Sequence, residues 1–287
     1  MHSQLIKETC SKVFKVENEE VKIIGRLELG MSNYMYLISI NNDKYTFRIP
    51  GEYANVFVNR NKEKEGLEVV APFNLCGETI YFDDINGYKI SKYIEGRVLY
   101  HDVQEKDYKN VAKILHKLHS LNNDKVAYYD PFAVLDYYES LNVEPINQKY
   151  LKIKSKLLGY KDFLIKQEKV LCHNDAQPSN FVEGLNEQMY LLDYEFFGLN
   201  DPLYDVACFG NNDYREGRTL LDVYLGRIPT NDEEKRFYLW RTFQNLQWVQ
   251  VALYKHELKM DQALNLDFKE LSEMFLNNAQ ESINKVK

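Results

Sequence analysis

Glycine (13 residues) and proline (7) are scarce in this 287-residue chain. Long stretches are therefore free to form regular structure, and collagen-like and low-complexity classes are excluded. No run approaches the roughly 18 consecutive apolar residues of a membrane-spanning helix. The four cysteines, Cys10, Cys76, Cys172 and Cys208, are scattered and form no CxxC pair. Neither zinc-ligand spacing nor a disulfide framework is present, so buried reduced thiols are expected. A basic block is also missing: 36 Lys and Arg stand against 43 Asp and Glu, a formal charge of −7. Such a chain is poorly matched to nucleic-acid phosphates or anionic membranes, and neither is expected as a partner. The first twenty residues carry no apolar core of signal-peptide length, which points to the cytoplasm.

What the chain does have is ordinary for a globular protein, 45% hydrophobic and 28% charged, with aromatics at 14%. The first third reads as strands. Met35–Ile40 and Lys44–Ile49 are β-type runs joined by an Asn41-Asn42-Asp43 turn. Residues 58–73 read as a helix ended near Pro72, and Thr79–Phe82 and Tyr88–Ile94 as two further strands. After Glu95-Gly96 the pattern becomes helical. Asp102 and Glu105 suggest a capping box. Tyr108, Val111, Ala112, Leu115, Leu118 and Leu121 then recur at spacings of three and four. Further helices are expected over Pro131–Leu141, Gln148–Gln167 and most of Asp232–Val286, interrupted by short strands at Lys169–Cys172, Phe181–Val182 and Met189–Leu192. The fold class is thus α+β. A small β-rich N-terminal lobe, 1–94, would precede a larger, mainly helical C-terminal lobe, 95–287, and a cleft between two such lobes is a common ligand site.

The chemistry concentrates in His173-Asn174-Asp175-Ala176-Gln177-Pro178-Ser179-Asn180 and Asp193-Tyr194-Glu195. Asp175 and Asn180 bracket a tight loop. From Asn180 the chain runs out along a strand, turns and returns, which brings Asp193 back beside Asn180. One carboxylate, Asp175, can accept a proton; the other carboxylate and the Asn180 amide carbonyl are hard oxygen donors suited to Mg²⁺ shared with a phosphate. Gln177 either packs the loop or contacts a phosphate, and His173 reads as a loop brace. His116 and His119 have HxxH spacing without the carboxylate motif of a metalloprotease and read as helix surface and core.

The runs CHNDAQPSN and LLDYEFFGLNDPLYDVACF resemble the choline/ethanolamine kinases, especially the bacterial LicA-type choline kinases, which share the protein-kinase-like fold of the aminoglycoside phosphotransferases. The resemblance implies an ATP- and Mg²⁺-dependent phosphotransferase acting on a small amino-alcohol. Asp175 would be the catalytic base, Asn180 and Asp193 would bind Mg²⁺, and Glu195 would lie near the metal. Gly30-Met31-Ser32-Asn33 looks like the nucleotide loop, with Ser32 and Asn33 capping the phosphates. Arg48 would take the place of the kinase strand lysine on those phosphates, paired with Glu63 or with its rival Glu65. A hinge near Lys92–Ile94 would hold adenine through backbone groups of Lys92 and Ile94, and Gln177 would reach a phosphate.

Choline is the first choice of acceptor, because aminoglycoside-modifying relatives usually carry glycine where Asn174 stands. A quaternary ammonium cannot donate a hydrogen bond and is held by aromatic rings backed by carboxylates. The acidic-aromatic stretch after Asp193 offers Glu195, Phe196 and Tyr214. Trp248 falls where the family places a cage tryptophan, and three residues before it stands Asn245. Asp205 either braces the loop or meets substrate. Ethanolamine, thiamine or an aminoglycoside as acceptor, or a non-catalytic nucleotide-binding relative, are the alternatives.

Overall fold

The computed structural model describes residues 2–27, 33–100, 102–123, 125–143, 147–261 and 266–287. They form two compact units, one of residues 1–100 with 179–196 and one of residues 101–178 with 197–287. Among the described residues no helix is long and apolar enough to cross a membrane.

In the first unit, helix α1 (His2–Phe14) precedes strands β1 (Lys22–Leu27), β2 (Asn33–Ile40) and β3 (Asp43–Pro50). Helices α2 (Ala54–Phe57) and α3 (Arg60–Val70) follow, then β4 (Thr79–Phe82) and β5 (Lys89–Lys92). The five strands make one antiparallel sheet in the order β1-β2-β3-β5-β4. Successive side chains of a strand point to opposite faces. Ile38, Ile40, Phe47 and Ile49 therefore share the face that packs with Ile6 and Cys10 of α1, and Arg48, between two of them, points to the other. The expected helix over 58–73 is α3, started by Asn59, whose side chain accepts from the Asn61 and Lys62 amides, and followed by a 3₁₀ turn at Ala71–Phe73. Asn59 is a strong cap because its oxygen satisfies amides with no partner inside the helix. Helix α1 and strand β1 go beyond the sequence expectations: charged residues interrupt their apolar spacing, and the sheet supplies what the local pattern lacks.

A second, three-stranded sheet completes this unit. Strand β6 (Gly96–Val98) pairs with β8 (Phe181–Gly184), which pairs with β9 (Met189–Leu191). Gly96 is required there, since a Cβ would lie 2.1 Å from the Glu183 carbonyl oxygen.

The second unit is mainly helical: α4 (Glu105–His119), α5 (Pro131–Leu141), α6 (Gln148–Leu158), α7 (Lys161–Ile165), α8 (Pro202–Phe209), α9 (Tyr214–Leu225), α10 (Asn231–Glu257) and α11 (Phe268–Lys285). Two short strands, β7 (Val170–Cys172) and β10 (Gly198–Asn200), pair antiparallel. Helix α4 buries Val111, Ala112, Leu115 and Leu118 as the periodicity implies. Its capping box, however, is Gln104 with Asp107 rather than Asp102 with Glu105, because the helix begins at Glu105. Helix α10 is buried nearly all round, and its buried set includes Arg241, Gln244 and Asn245 beside Trp240, Phe243 and Leu246. Trp240 donates its ring N–H to Asp201 at 2.8 Å, and Arg236 also binds Asp201. This single buried carboxylate therefore caps α8 and anchors α10 to it.

Candidate active site

Three cations and three carboxylates meet in the first unit. Arg48 (1% exposed) forks onto Glu63 (0% exposed), Nη1 to Oε1 at 2.5 Å and Nη2 to Oε2 at 2.9 Å. The same guanidinium donates to the Gly87 carbonyl from Nε at 3.3 Å and Nη2 at 3.0 Å, and through Nη1 to Glu195 at 3.0 Å and Asp193 at 3.3 Å. Arg60 donates to Glu63 and Glu195, both at 2.8 Å. Lys89, directly opposite Arg48 across the β3–β5 ladder, reaches Glu63 at 3.4 Å. Like charges at facing positions repel; here Glu63 lies against both. Glu65, the other candidate partner of Arg48, is exposed. The fork geometry also explains why arginine suits this site: a planar guanidinium holds a carboxylate bidentately while keeping donors for others.

Burial pushes the Glu63 carboxyl up, but the Arg48, Lys89 and Arg60 charges outweigh it and hold the group down at about 2. Glu195 goes the other way: burial and the Asp193 charge push its carboxyl up against the pull of Arg48 and Arg60. Its Oε1 takes donors from Arg48, Arg60 and the Asn33 amide, the last at 3.2 Å. Asp193 differs from both. It is 33% exposed, sits at φ +68, and its nearest cations stand at 3.3 and 4.0 Å. A non-glycine residue in the left-handed region is uncommon, and aspartate tolerates it better than most. The Leu192 amide donates to the Asn180 carbonyl at 2.8 Å, so the β8–β9 hairpin returns the chain to Asn180 immediately before Asp193, as the motif spacing implies.

In the second unit the loop carrying Asp175 is clamped from α8. The fully buried Asp205 accepts the His173 amide at 2.8 Å and the Asn174 amide at 2.7 Å, one on each oxygen, and His119 lies 3.1 Å from one of them. Of the two roles open to it, Asp205 therefore takes the bracing one. Asn174 adopts φ +63, and its amide is held between strands β7 and β10: it accepts from Asn200 at 2.8 Å and donates to the Gly198 carbonyl at 3.4 Å. The asparagine after the motif histidine thus has a structural task, joining the two strands that support the loop. The Asp175 amide donates to His173 Nδ1 at 3.2 Å, so His173 braces the loop, as expected.

Asp175 is half-buried. The Gln177 amide donates to it at 3.2 Å, and Asn211 in turn donates to the Gln177 oxygen at 2.9 Å. Gln177, a candidate phosphate contact or loop packer, has both ends engaged within this unit. Near the loop, burial pushes the Tyr129, Tyr138 and Tyr204 phenols up, with the Asp175 charge adding to it, so these rings stay neutral.

The remaining sequence candidates fall in several places. Ser32 lies outside the described residues. Asn33, at the start of β2, has its side-chain oxygen buried without a partner while its NH₂ holds Glu195. The Lys92 and Tyr93 amides are donated to the Glu78 and Lys44 carbonyls; Ile94 follows them. Phe196 is half-buried at the end of the first unit. Tyr214 and Asn245 line a cavity of about 240 Å³ in the second unit, together with Asn211, Asp213 and Arg241. Trp248 is not among the cavity's lining residues: its ring stacks on Phe275 of α11 at 6.1 Å. Sequence reading missed Arg60, Lys89 and Arg241. All three are buried cations, and their interruption of otherwise core-facing positions was the available sign.

A model of the choline/ethanolamine kinase family matches residues 24–245. Protein LicA of Haemophilus influenzae is 24% identical over 249 residues, spanning 79% of this chain and 72% of its own. Choline kinase LicA from Streptococcus pneumoniae shares the fold with a TM-score of 0.80 and 23% identity over 99% of both chains. A LicA structure in complex with AMP matches at the same TM-score and identity, covering 99% of this chain and 98% of that one. The α+β architecture is that of these kinases, and with the family model spanning most of its length the chain belongs to the choline/ethanolamine kinase family.

Proposed function

We propose that this protein transfers the γ-phosphoryl group of ATP to the hydroxyl of a small amino-alcohol, with choline as the acceptor, in the cytoplasm and with Mg²⁺. Residues 1–94 form the nucleotide-binding lobe of this reading and residues 95–287 the catalytic and substrate-binding lobe. The observation that carries it is Asp193: a partly exposed carboxylate, held in a left-handed conformation beside Asn180 and against the Arg48–Glu63 pair. A carboxylate with an amide carbonyl beside it is a hard oxygen donor set of the kind Mg²⁺ takes. Asn180 and Asp193 would hold the ion, which when bound neutralises phosphate charge. The AMP bound by the LicA relative supports nucleotide use.

Asp175 orients the acceptor hydroxyl and takes its proton as the new O–P bond forms and the bond from the γ-phosphorus to the bridging oxygen breaks, releasing ADP. Arg48, kept charged and immobile by three carboxylates, faces the nucleotide phosphates, with Asn33 and Ser32 capping them. Lys92 and Ile94 flank adenine, Gln177 steadies Asp175, and Glu195 fixes Arg48 and Arg60. Such a site works by positioning and electrostatic stabilisation rather than by covalent chemistry. ADP release from a panel of choline, ethanolamine, thiamine and kanamycin, with and without EDTA, tests the reading. Choline leading the panel, with activity lost in EDTA and restored by Mg²⁺, is expected; thiamine or kanamycin leading, or no turnover of any acceptor, overturns it.

A further inference from the structure

Two fully buried arginines of the described residues stand in opposite circumstances. Arg48 sits among carboxylates. Arg241, 2% exposed on α10, pairs with no carboxylate among the described residues: its partners are the neutral side-chain oxygens of Gln244 at 2.7 Å and Asn245 at 3.4 Å, and its Nε–H is buried without a hydrogen bond. Burial accordingly pulls its guanidinium down to about 10. A buried cation without a counter-charge is costly, and this one borders the cavity of about 240 Å³. The acids at that cavity do not compensate it. Asp213 is paired with Arg215 at 2.7 Å, and Glu281 is exposed.

The same cavity connects to the Asp175 loop. A carboxylate can only accept hydrogen bonds, so Gln177 turns its NH₂ to Asp175 and its oxygen to the Asn211 NH₂. The Asn211 oxygen is thereby left buried and without a partner. Arg241 and Asn211 both line this cavity. Each carries a buried polar atom without a partner, a donor in Arg241 Nε and an acceptor in Asn211 Oδ1, and Asn211 is two hydrogen bonds removed from Asp175. A ligand that answers both carries an anion and an N–H donor.

We propose that this cavity receives the charged end of the acceptor and that Arg241 binds a carboxylate on it, so that the alcohols phosphorylated here include amino-alcohols bearing a carboxylate. The proposal rests on the kinase reading above and extends its acceptor class; the hydroxyl still loses its proton to Asp175, and ADP still leaves. Choline lacks both an anion and an N–H, whereas the wall offers the Asn245 amide beside Arg241.

The test is a matched pair on the full wild-type chain. L-serine is ethanolamine with a carboxylate on the carbon bearing nitrogen, and L-homoserine is one methylene longer. Titration calorimetry with each, without ATP, should show L-serine or L-homoserine binding at least about tenfold more tightly than ethanolamine, the effect of one charge-assisted hydrogen-bond pair to a buried guanidinium. Arg241→Gln, shown to be folded by circular dichroism, should bring the pair to within about twofold. Neither acid binding more tightly than ethanolamine in the wild type, or an advantage that persists in folded Arg241→Gln, overturns the proposal; the wild-type comparison decides alone if the variant does not fold. ADP release is read separately. Choline or ethanolamine turnover with no preference for the acids sinks this inference and spares the kinase reading, whereas tight binding of an acid with no ADP release from any acceptor sinks the kinase reading and leaves the anion site.

Discussion

Glu63→Gln removes one charge from the middle of the buried network while keeping nearly the same volume. Glu63 is held at about 2, against 4.5 for an unperturbed glutamate, because Arg48, Lys89 and Arg60 outweigh its burial. At 1.36 kcal/mol per unit, that depression corresponds to roughly 3 kcal/mol of stability at pH 7. Removing one partner of a buried pair costs about 3–5 kcal/mol elsewhere. The low end applies here, because Arg48 retains Glu195 at 3.0 Å and the Gly87 carbonyl. The sign with pH is determined by the direction of the shift. A depressed carboxyl contributes fully above its unfolded value and loses that contribution as pH falls through its folded one. The gap between wild type and Glu63→Gln, read from urea unfolding, should therefore be roughly 3 kcal/mol at pH 7 and about 1–1.5 kcal/mol at pH 3. A gap below about 0.5 kcal/mol at pH 7, or one that stays constant down to pH 3, would refute the assignment of Glu63 as the principal counter-charge of Arg48.

Asp175→Ala and Asp193→Ala should each abolish turnover while leaving the circular dichroism spectrum intact; near-normal rates in either folded variant defeat the proposed mechanism. Asp205→Ala releases the His173 and Asn174 amides together, so it should lower stability by about 3 kcal/mol and slow turnover, measured by urea unfolding and ADP release. An effect on neither would show that the loop holds without its clamp. Cys10 is buried in the first unit's core, and burial pushes its thiol up to about 12. Iodoacetamide at pH 8 should leave it unmodified until denaturant is added, as peptide mass mapping would show.

Short-range features of this chain are legible in its residues. The Asn180–Asp193 return follows from a strand, a turn and a second strand, a local hairpin whose register places its ends together. Helix α4 follows from apolar spacing, and α5 from Asp130 and Pro131 at its start. Helices α8 and α9 escape such reading. In α8 the residues Leu203 to Phe209 are all buried, so no polar face marks a helical period. The family's pattern alone points Trp248 toward substrate; in the structure its half-buried ring stacks on Phe275. An aromatic residue on a helix has the same appearance in sequence whether it faces a ligand or a neighbouring helix.

The sequence by itself determined which donors could exist: the Asp175 loop, the side-chain oxygens of Asn180 and Asp193, and the division into a strand-rich and a helical part, all of which depend on residues a few positions apart. Only the tertiary structure decided which charges are answered. Arg48 and Asp193 are 145 positions apart in the chain yet hydrogen-bonded, and Asp205 reaches back more than thirty residues to hold the loop that carries Asp175. Whether a buried cation has a counter-charge depends on what folding brings within a few ångströms. That is why two arginines indistinguishable in sequence became, in the fold, a neutralised strut and an unanswered charge.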